Sequence, residues 1–151
     1  MKVNNKIRNI LLADDDTDDR YFFEKALKQK HPNIQLVTVV DGADLMAYLL
    51  SCTTLPDVIF TDLNMPRKNG AECVAEIKQD PRLKSIPIVV YSTSLRDEVA
   101  NALFILGVHY YLQKSSFVEL AQHLDLIVQM LDKSRDRPNR EEFVINFIPQ
   151  D

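Results

Sequence analysis

The sequence predicts an α/β protein built on a parallel β-sheet with helices on both faces. Short aliphatic and β-branched runs alternate with longer segments of helical period along most of the chain. Runs as apolar as Val58-Ile59-Phe60 and Ile88-Val89-Val90 suit strands covered on both sides, which is the condition of a parallel sheet. The length of 151 residues and an apolar share of 46% fit one domain that buries a real core.

Taken in order, residues 7–13 form the first predicted strand, which ends in Asp14 and Asp15. A helix over 16–30 follows, then a strand over 34–39 and a helix over 43–51. The third strand, 57–61, runs into Asp62, and Pro66 and Gly70 punctuate a tight loop before a helix over 70–79. Residues 86–91 and 110–112 read as the fourth and fifth strands, followed by helices over 95–106 and 117–132. In the last helix Phe117, Leu120, Leu124, Ile127 and Leu131 form one apolar stripe. Regular alternation with right-handed crossovers gives a doubly wound, five-stranded (βα)₅ sheet, and the flavodoxin-like strand order 2-1-3-4-5 is its common solution.

Composition narrows function. The 18 Lys+Arg against 22 Asp+Glu leave a net charge of -4 and no basic stripe dense enough to bind a row of phosphates, so direct nucleic-acid binding is not expected. The start, MKVNNKIRNI, lacks the apolar stretch and cleavage site of a signal peptide, and nothing approaches a membrane span. A cytoplasmic location with reduced Cys52 and Cys73 is the expectation.

In a doubly wound sheet, ligands collect at the carboxyl ends of the strands. Those positions are Asp14 and Asp15, Asp62, Ser92 and Lys114, while the second strand ends without comparable chemistry. With strand neighbours about 4.8 Å apart, three carboxylates, a hydroxyl and an ammonium converge in one crevice. Clustered carboxylates repel unless a cation neutralises them, and oxygen-only ligands suit Mg²⁺, which leaves positions open for phosphate oxygens. Mg²⁺, Lys114 and the Ser92 hydroxyl would then stabilise the three oxygens of a phosphoryl group in flight over Asp62.

The combination ILLADDD, VIFTDLNMPRKNG, IPIVVYSTS and YYLQK resembles the receiver domain of two-component response regulators over about residues 7–131. The resemblance implies that Asp62 is the phosphoacceptor. It also implies that Asp15 and Asp62 bind Mg²⁺ directly with the backbone carbonyl of Asn64, while Asp14 acts mainly through water. Ser92 and Lys114 would contact the phosphoryl group, and Tyr111 would be the aromatic switch residue. The donor in this family is a phosphohistidine on a sensor histidine kinase or phosphotransfer protein. Phosphorylation would draw Ser92 toward the phosphoryl group, let Tyr111 rotate inward and remodel the fourth helix, fifth strand and fifth helix, about residues 95–131, where a downstream protein or a second copy would dock.

The family places proline after the lysine of the fifth strand, whereas this chain has Ser115. A cis bond before a residue other than proline costs roughly 2.5–4 kcal/mol, so a trans Lys114–Ser115 bond is expected.

Blander readings compete at each position. DDDTDD includes acids that simply suit a helix N-terminus, chiefly Asp16, Asp18 and Asp19. It is not a calcium loop, because the sixth residue from Asp14 is Asp19 and the twelfth is Lys25, where glycine and glutamate belong. Thr93 competes with Ser92, and Tyr110 with Tyr111; His31, His109 and His123 share no spacing that suggests a site.

An aspartyl-phosphate phosphatase of the haloacid-dehalogenase type would need its nucleophile on the first strand in a DxDx[TV] pattern, which Asp14, Asp16 and Asp18 do not complete. A receiver-like module that signals only by docking would have no need of every charged position. The receiver would occupy residues 1–132, with 133–151 an extension and no separate output domain. In that extension KSRDRPNREE reads as a solvated linker, and FVINFIP as a segment that is disordered, packs on the domain, or adds a strand to the sheet edge of a partner or second copy.

Overall fold

Five βα units follow one another in this computed structural model, which describes residues 6–145. They are β1 (Asn9–Ala13), α1 (Thr17–Lys30), β2 (Gln35–Val39), α2 (Gly42–Ser51), β3 (Val58–Asp62), α3 (Gly70–Gln79), β4 (Ile88–Ser92), α4 (Asp97–Leu106), β5 (Tyr110–Gln113) and α5 (Phe117–Lys133). A short α6 (Arg140–Phe143) and β6 (Val144–Ile145) complete the described chain.

Except at α4, where Arg96 makes no capping bond, helix starts fall where side chains satisfy the free backbone amides. Asp16 caps α1 by accepting from the Asp19 amide, Asp41 caps α2 from Asp44, and Ser116 caps α5 from Glu119. Asn69 and Glu72 form a reciprocal capping box at α3. Helix α4 ends on Gly107, whose φ of 105° is a left-handed conformation that favours glycine.

The strands lie in the order β2-β1-β3-β4-β5-β6, and every pairing is parallel. Strands β3 and β4 are buried throughout, whereas the edge strand β2 is largely exposed. One face carries α1 and α5, with Phe23, Leu27, Leu124, Ile127 and Leu131 packed on Leu12, Phe60 and Tyr91. The other carries α2, α3 and α4, with Leu45, Leu49, Val74, Ile77 and Leu103 packed on Leu11, Ile59 and Val90.

The expected order 2-1-3-4-5 is present, but the sheet has six strands rather than five. Of the three alternatives for the extension, packing on the domain is the one observed over the described residues, and the added strand joins the chain's own sheet rather than that of a partner or second copy. Up to Ile145 it packs on its own domain and adds β6 to its own sheet, with Tyr111 opposite Val144 and Leu112 opposite Ile145. Burial explains the choice: Phe143 is wholly covered, in edge-to-face contact with Phe104 at 5.3 Å and tilted against Tyr111 at 6.4 Å. KSRDRPNREE is likewise not merely solvated. Arg137 lies over the Phe104 ring at 4.3 Å and donates to the carbonyls of Val108 and Phe104, and the Arg135 carbonyl is bonded to His109 Nε2 at 2.8 Å. The rest of FVINFIP, residues 146–149, lies outside the described residues.

Candidate functional site

Register places the candidate residues along one edge of the sheet. Ala13 is opposite Thr61, Asp62 opposite Tyr91, and Ser92 opposite Gln113, so Asp14, Asp62, Ser92 and Lys114 share the carboxyl end of neighbouring strands. Asp14, Asp15 and Asp62 each bring a carboxylate oxygen to within 4.8 Å of the others.

Asp14 is fully buried and Asp62 is 7% exposed, whereas Asp15 faces solvent. The Asp14 backbone is fixed from both sides, its amide donating to the Val39 carbonyl at 3.1 Å and its carbonyl accepting from Arg20 Nη1 at 2.7 Å. Its Oδ1 accepts the Asp16 amide at 3.0 Å, and its Oδ2 accepts the Tyr91 hydroxyl. Burial pushes the Tyr91 phenol pKa far up, and the adjacent acids add to this, so it remains a donor.

Asp62 is presented by a close turn. The Gly70 amide donates to the Leu63 carbonyl at 2.8 Å, and a Cβ at Gly70 would stand 2.4 Å from the Asp62 carbonyl oxygen, so this approach requires glycine. The Asn64 amide reaches Asp62 Oδ1 at 3.4 Å, which brings the Asn64 main chain beside the acid. Farther along the loop Arg67 has a φ of 66°, and its guanidinium is tied to Asp41 at 2.9 Å and Asp44 at 3.0 Å.

Lys114 gathers the carboxylates. Its Nζ lies 3.1 Å from Asp14 Oδ2, 2.8 Å from Asp19 Oδ2 and 3.1 Å from Asp62 Oδ2. Burial works against its charge, but Asp19, Asp14 and Asp62 outweigh that and hold its pKa above the usual lysine range. Burial raises the Asp62 pKa, and although Lys114 opposes this, repulsion from Asp14 acts in the same direction as burial. The Lys114–Ser115 bond is trans, like every other peptide bond described.

On the opposite side of β4, the Ser92 hydroxyl donates to the Ser94 carbonyl at 2.6 Å and lies 3.2 Å from the Tyr111 hydroxyl, which itself donates to Ser94 O at 3.0 Å. Thr93, the competitor of Ser92, is exposed.

A family model described as the response regulator receiver domain matches residues 10–125. The chain belongs to the response-regulator receiver family. Response regulator Rcp1 of Synechocystis sp. (strain ATCC 27184 / PCC 6803 / Kazusa) is 38% identical over 117 residues, covering 74% of this chain and 80% of Rcp1. The phosphorylated cyanobacterial phytochrome response regulator RcpA superposes with a TM-score of 0.76 at 37% identity, over 83% of this chain and 94% of RcpA. The Mn²⁺-bound form of Rcp1 gives 0.75 at 34% identity, over 87% and 99%.

In this receiver the structure brings together Asp14, Asp15, Asp62 and Lys114, sets the Asn64 main chain beside them, and pairs Ser92 with Tyr111 behind β4. The cluster is compatible with a divalent ion: its ligands are hard oxygens, and Lys114 pairs with Asp14, Asp19 and Asp62 while Asp15 adds a further carboxylate to the group.

Three features depart from expectation. Asp19, read as a helix-end acid, is a partner of Lys114; its place one helical turn after Asp15 was the available signal. Tyr91, to which the sequence assigns no role, donates to Asp14, and a phenol ending an aliphatic strand run beside Ser92 is unusual chemistry for a core. Tyr111 is already turned inward, 1% exposed, rather than awaiting an inward rotation, because Phe143 covers it. Part of the α4–β5–α5 face expected to receive a partner is therefore covered by the chain's own segment 135–145, in which Arg140 Nε also donates to Asn101 of α4 at 3.0 Å. Among the described residues no helix is long and apolar enough to cross a membrane.

Proposed function

We propose that this receiver is a phosphoacceptor switch in which Asp62 takes a phosphoryl group from a phosphohistidine on a sensor histidine kinase or phosphotransfer protein, with Mg²⁺ as the resident ion. The observation that carries the reading is the meeting of the Asp14, Asp15 and Asp62 carboxylates with Lys114 at the carboxyl edge of the sheet. Asp15, Asp62 and the Asn64 carbonyl would hold the ion directly, and Asp14 through a bridging water. When bound, Mg²⁺ supplies neutralising charge for the acidic pocket and for the phosphoryl oxygens.

A carboxylate oxygen of Asp62 attacks phosphorus, so that a P–O bond forms as the P–N bond to the donor imidazole breaks. Lys114, held 3.1 Å from Asp62, offers its ammonium to the oxygen charge that develops there. Ser92 exchanges its bond to the Ser94 carbonyl for a charge-assisted bond to a phosphoryl oxygen. That exchange loosens the Ser92, Ser94 and Tyr111 group and alters the α4–β5–α5 face, which a downstream protein or a second copy reads. A phosphatase with its nucleophile on β1 is disfavoured, because Asp14 is buried with both carboxylate oxygens already accepting hydrogen bonds.

Incubation with acetyl phosphate and Mg²⁺, followed by intact mass measurement, tests the proposal. One added phosphoryl group that is lost in Asp62→Asn and in chelator is expected. Undiminished labelling of Asp62→Asn, or catalytic release of phosphate from a small ester, would replace the switch with another chemistry.

A further inference from the structure

We propose that Tyr91 is a positioning residue of this site, its hydroxyl fixing the Asp14 carboxylate and its ring carrying the Lys114 ammonium. The inference rests on the phosphoacceptor reading.

Tyr91 occupies the next-to-last position of β4, directly opposite Asp62, and its side chain lies on the sheet face that carries α1 and α5. It is 2% exposed and packs against Phe23 at 6.1 Å. A buried phenol needs one acceptor, and a core tyrosine satisfied by a nearby carbonyl would be the bland outcome. Here the acceptor is Asp14 Oδ2, the same oxygen that Lys114 Nζ approaches at 3.1 Å. Lys114 Nζ also stands 4.7 Å from the centroid of the Tyr91 ring, within the range of a cation–π contact.

Two consequences follow from this sharing. The Asp14 carboxylate has a donor on each oxygen, the Asp16 amide on Oδ1 and the phenol on Oδ2, and this holds it in the rotamer that places a ligand atom within 4.8 Å of Asp15 and Asp62. In addition, when Lys114 turns from Asp14 to a phosphoryl group on Asp62, a wholly buried carboxylate oxygen would lose its partner. The phenol keeps that oxygen hydrogen-bonded as the lysine leaves.

The test uses the full chain with Tyr91→Phe, which removes only the hydroxyl, and Tyr91→Leu, which also removes the ring. Mg²⁺ affinity is read by titration calorimetry, and labelling by acetyl phosphate is followed across Mg²⁺ concentrations. Tyr91→Phe should bind Mg²⁺ about tenfold more weakly, the scale of losing an outer-shell partner, and its labelling defect should shrink, though not vanish, as Mg²⁺ saturates, because the departing lysine then leaves Asp14 Oδ2 unpaired. Tyr91→Leu should remain several-fold slower at saturation, because the ammonium has lost its support. Wild-type Mg²⁺ affinity in Tyr91→Phe, a labelling defect of equal size at every Mg²⁺ concentration, or Tyr91→Leu labelling as fast as Tyr91→Phe at saturation would overturn the proposal; if Tyr91→Leu fails to fold, Tyr91→Met takes its place as the ring-less variant. Absence of Asp62 labelling in wild type would instead remove the phosphoacceptor reading, and the calorimetric comparison would still decide whether Tyr91 positions the acidic cluster.

Discussion

Replacing Phe143 with alanine should release the C-terminal segment from the receiver without unfolding it. The ring is wholly buried between Phe104 and Tyr111, and in a core, Phe→Ala costs about 3–5 kcal/mol. Strand β6 pairs at only two positions, and each backbone hydrogen bond contributes a net of roughly 0.5–1.5 kcal/mol against about 1–2 kcal/mol to order each residue. The ladder cannot hold the segment alone once the ring is gone, and the bonds of Arg137 and Arg140 that remain are polar contacts worth roughly 0.5–1.5 kcal/mol each. Because the segment joins the sheet at its edge, it can undock alone, and the loss of global stability should be smaller than for Phe60→Ala at the centre of the sheet. Amide hydrogen exchange read by mass spectrometry, beside urea unfolding, measures both quantities. Protection over 140–145 should collapse while β1 and β3 keep theirs. Retained protection in that segment, or equal loss across β1, β3 and β6, would refute this view of the segment as an edge element anchored by one ring.

Asp15→Ala should weaken Mg²⁺ binding more than Asp14→Ala, for which an outer-shell loss of about 10–100-fold is the guide; calorimetry giving equal affinities in both variants and wild type would contradict that division. Gly70→Ala would force a methyl to 2.4 Å from the Asp62 carbonyl oxygen, so a stability loss of about 1–3 kcal/mol in urea and slower labelling by acetyl phosphate are expected. Burial depresses the His109 pKa from 6.5 to about 4, with Lys78 and Arg137 adding to the effect and the bond to the Arg135 carbonyl opposing it. A histidine shifted this way contributes stability above pH 6.5 that is lost as pH falls through 4, with a ceiling of about 3 kcal/mol from the relation between pKa shift and energy. Thermal melts of His109→Gln should show a flatter profile over that window, and identical slopes would contradict it.

The sheet was legible because its central strands are apolar on both faces and are followed or closed by residues of distinct chemistry, so Asp14, Asp62, Ser92 and Lys114 could be named from their places at the strand ends. Strand ends shifted by only one or two residues: β3 includes Asp62 and β4 includes Ser92, because the ladder runs to the site itself. What was illegible depends on contacts distant in sequence. Asp19 meets Lys114 across 95 positions, and Tyr91 meets Asp14 across 77, and neither pairing leaves a local periodic trace. The docking of β6 on its own sheet could not be told from the other readings of FVINFIP for a similar reason, since two paired residues make no pattern and the docking rests on Phe143 finding Phe104 and Tyr111. The inward Tyr111 is a consequence of that cover.

The most direct test of the phosphoacceptor reading is to trap the modified residue itself. An acyl phosphate is reduced by borohydride to an alcohol, so an aspartyl phosphate becomes homoserine at the residue that carried it. After incubation with acetyl phosphate and Mg²⁺, borohydride treatment and peptide sequencing by tandem mass spectrometry, homoserine is expected at position 62 alone. Homoserine at position 14 or 15, or none at all in protein that retains Mg²⁺ binding, would contradict the assignment of Asp62 as the phosphoacceptor.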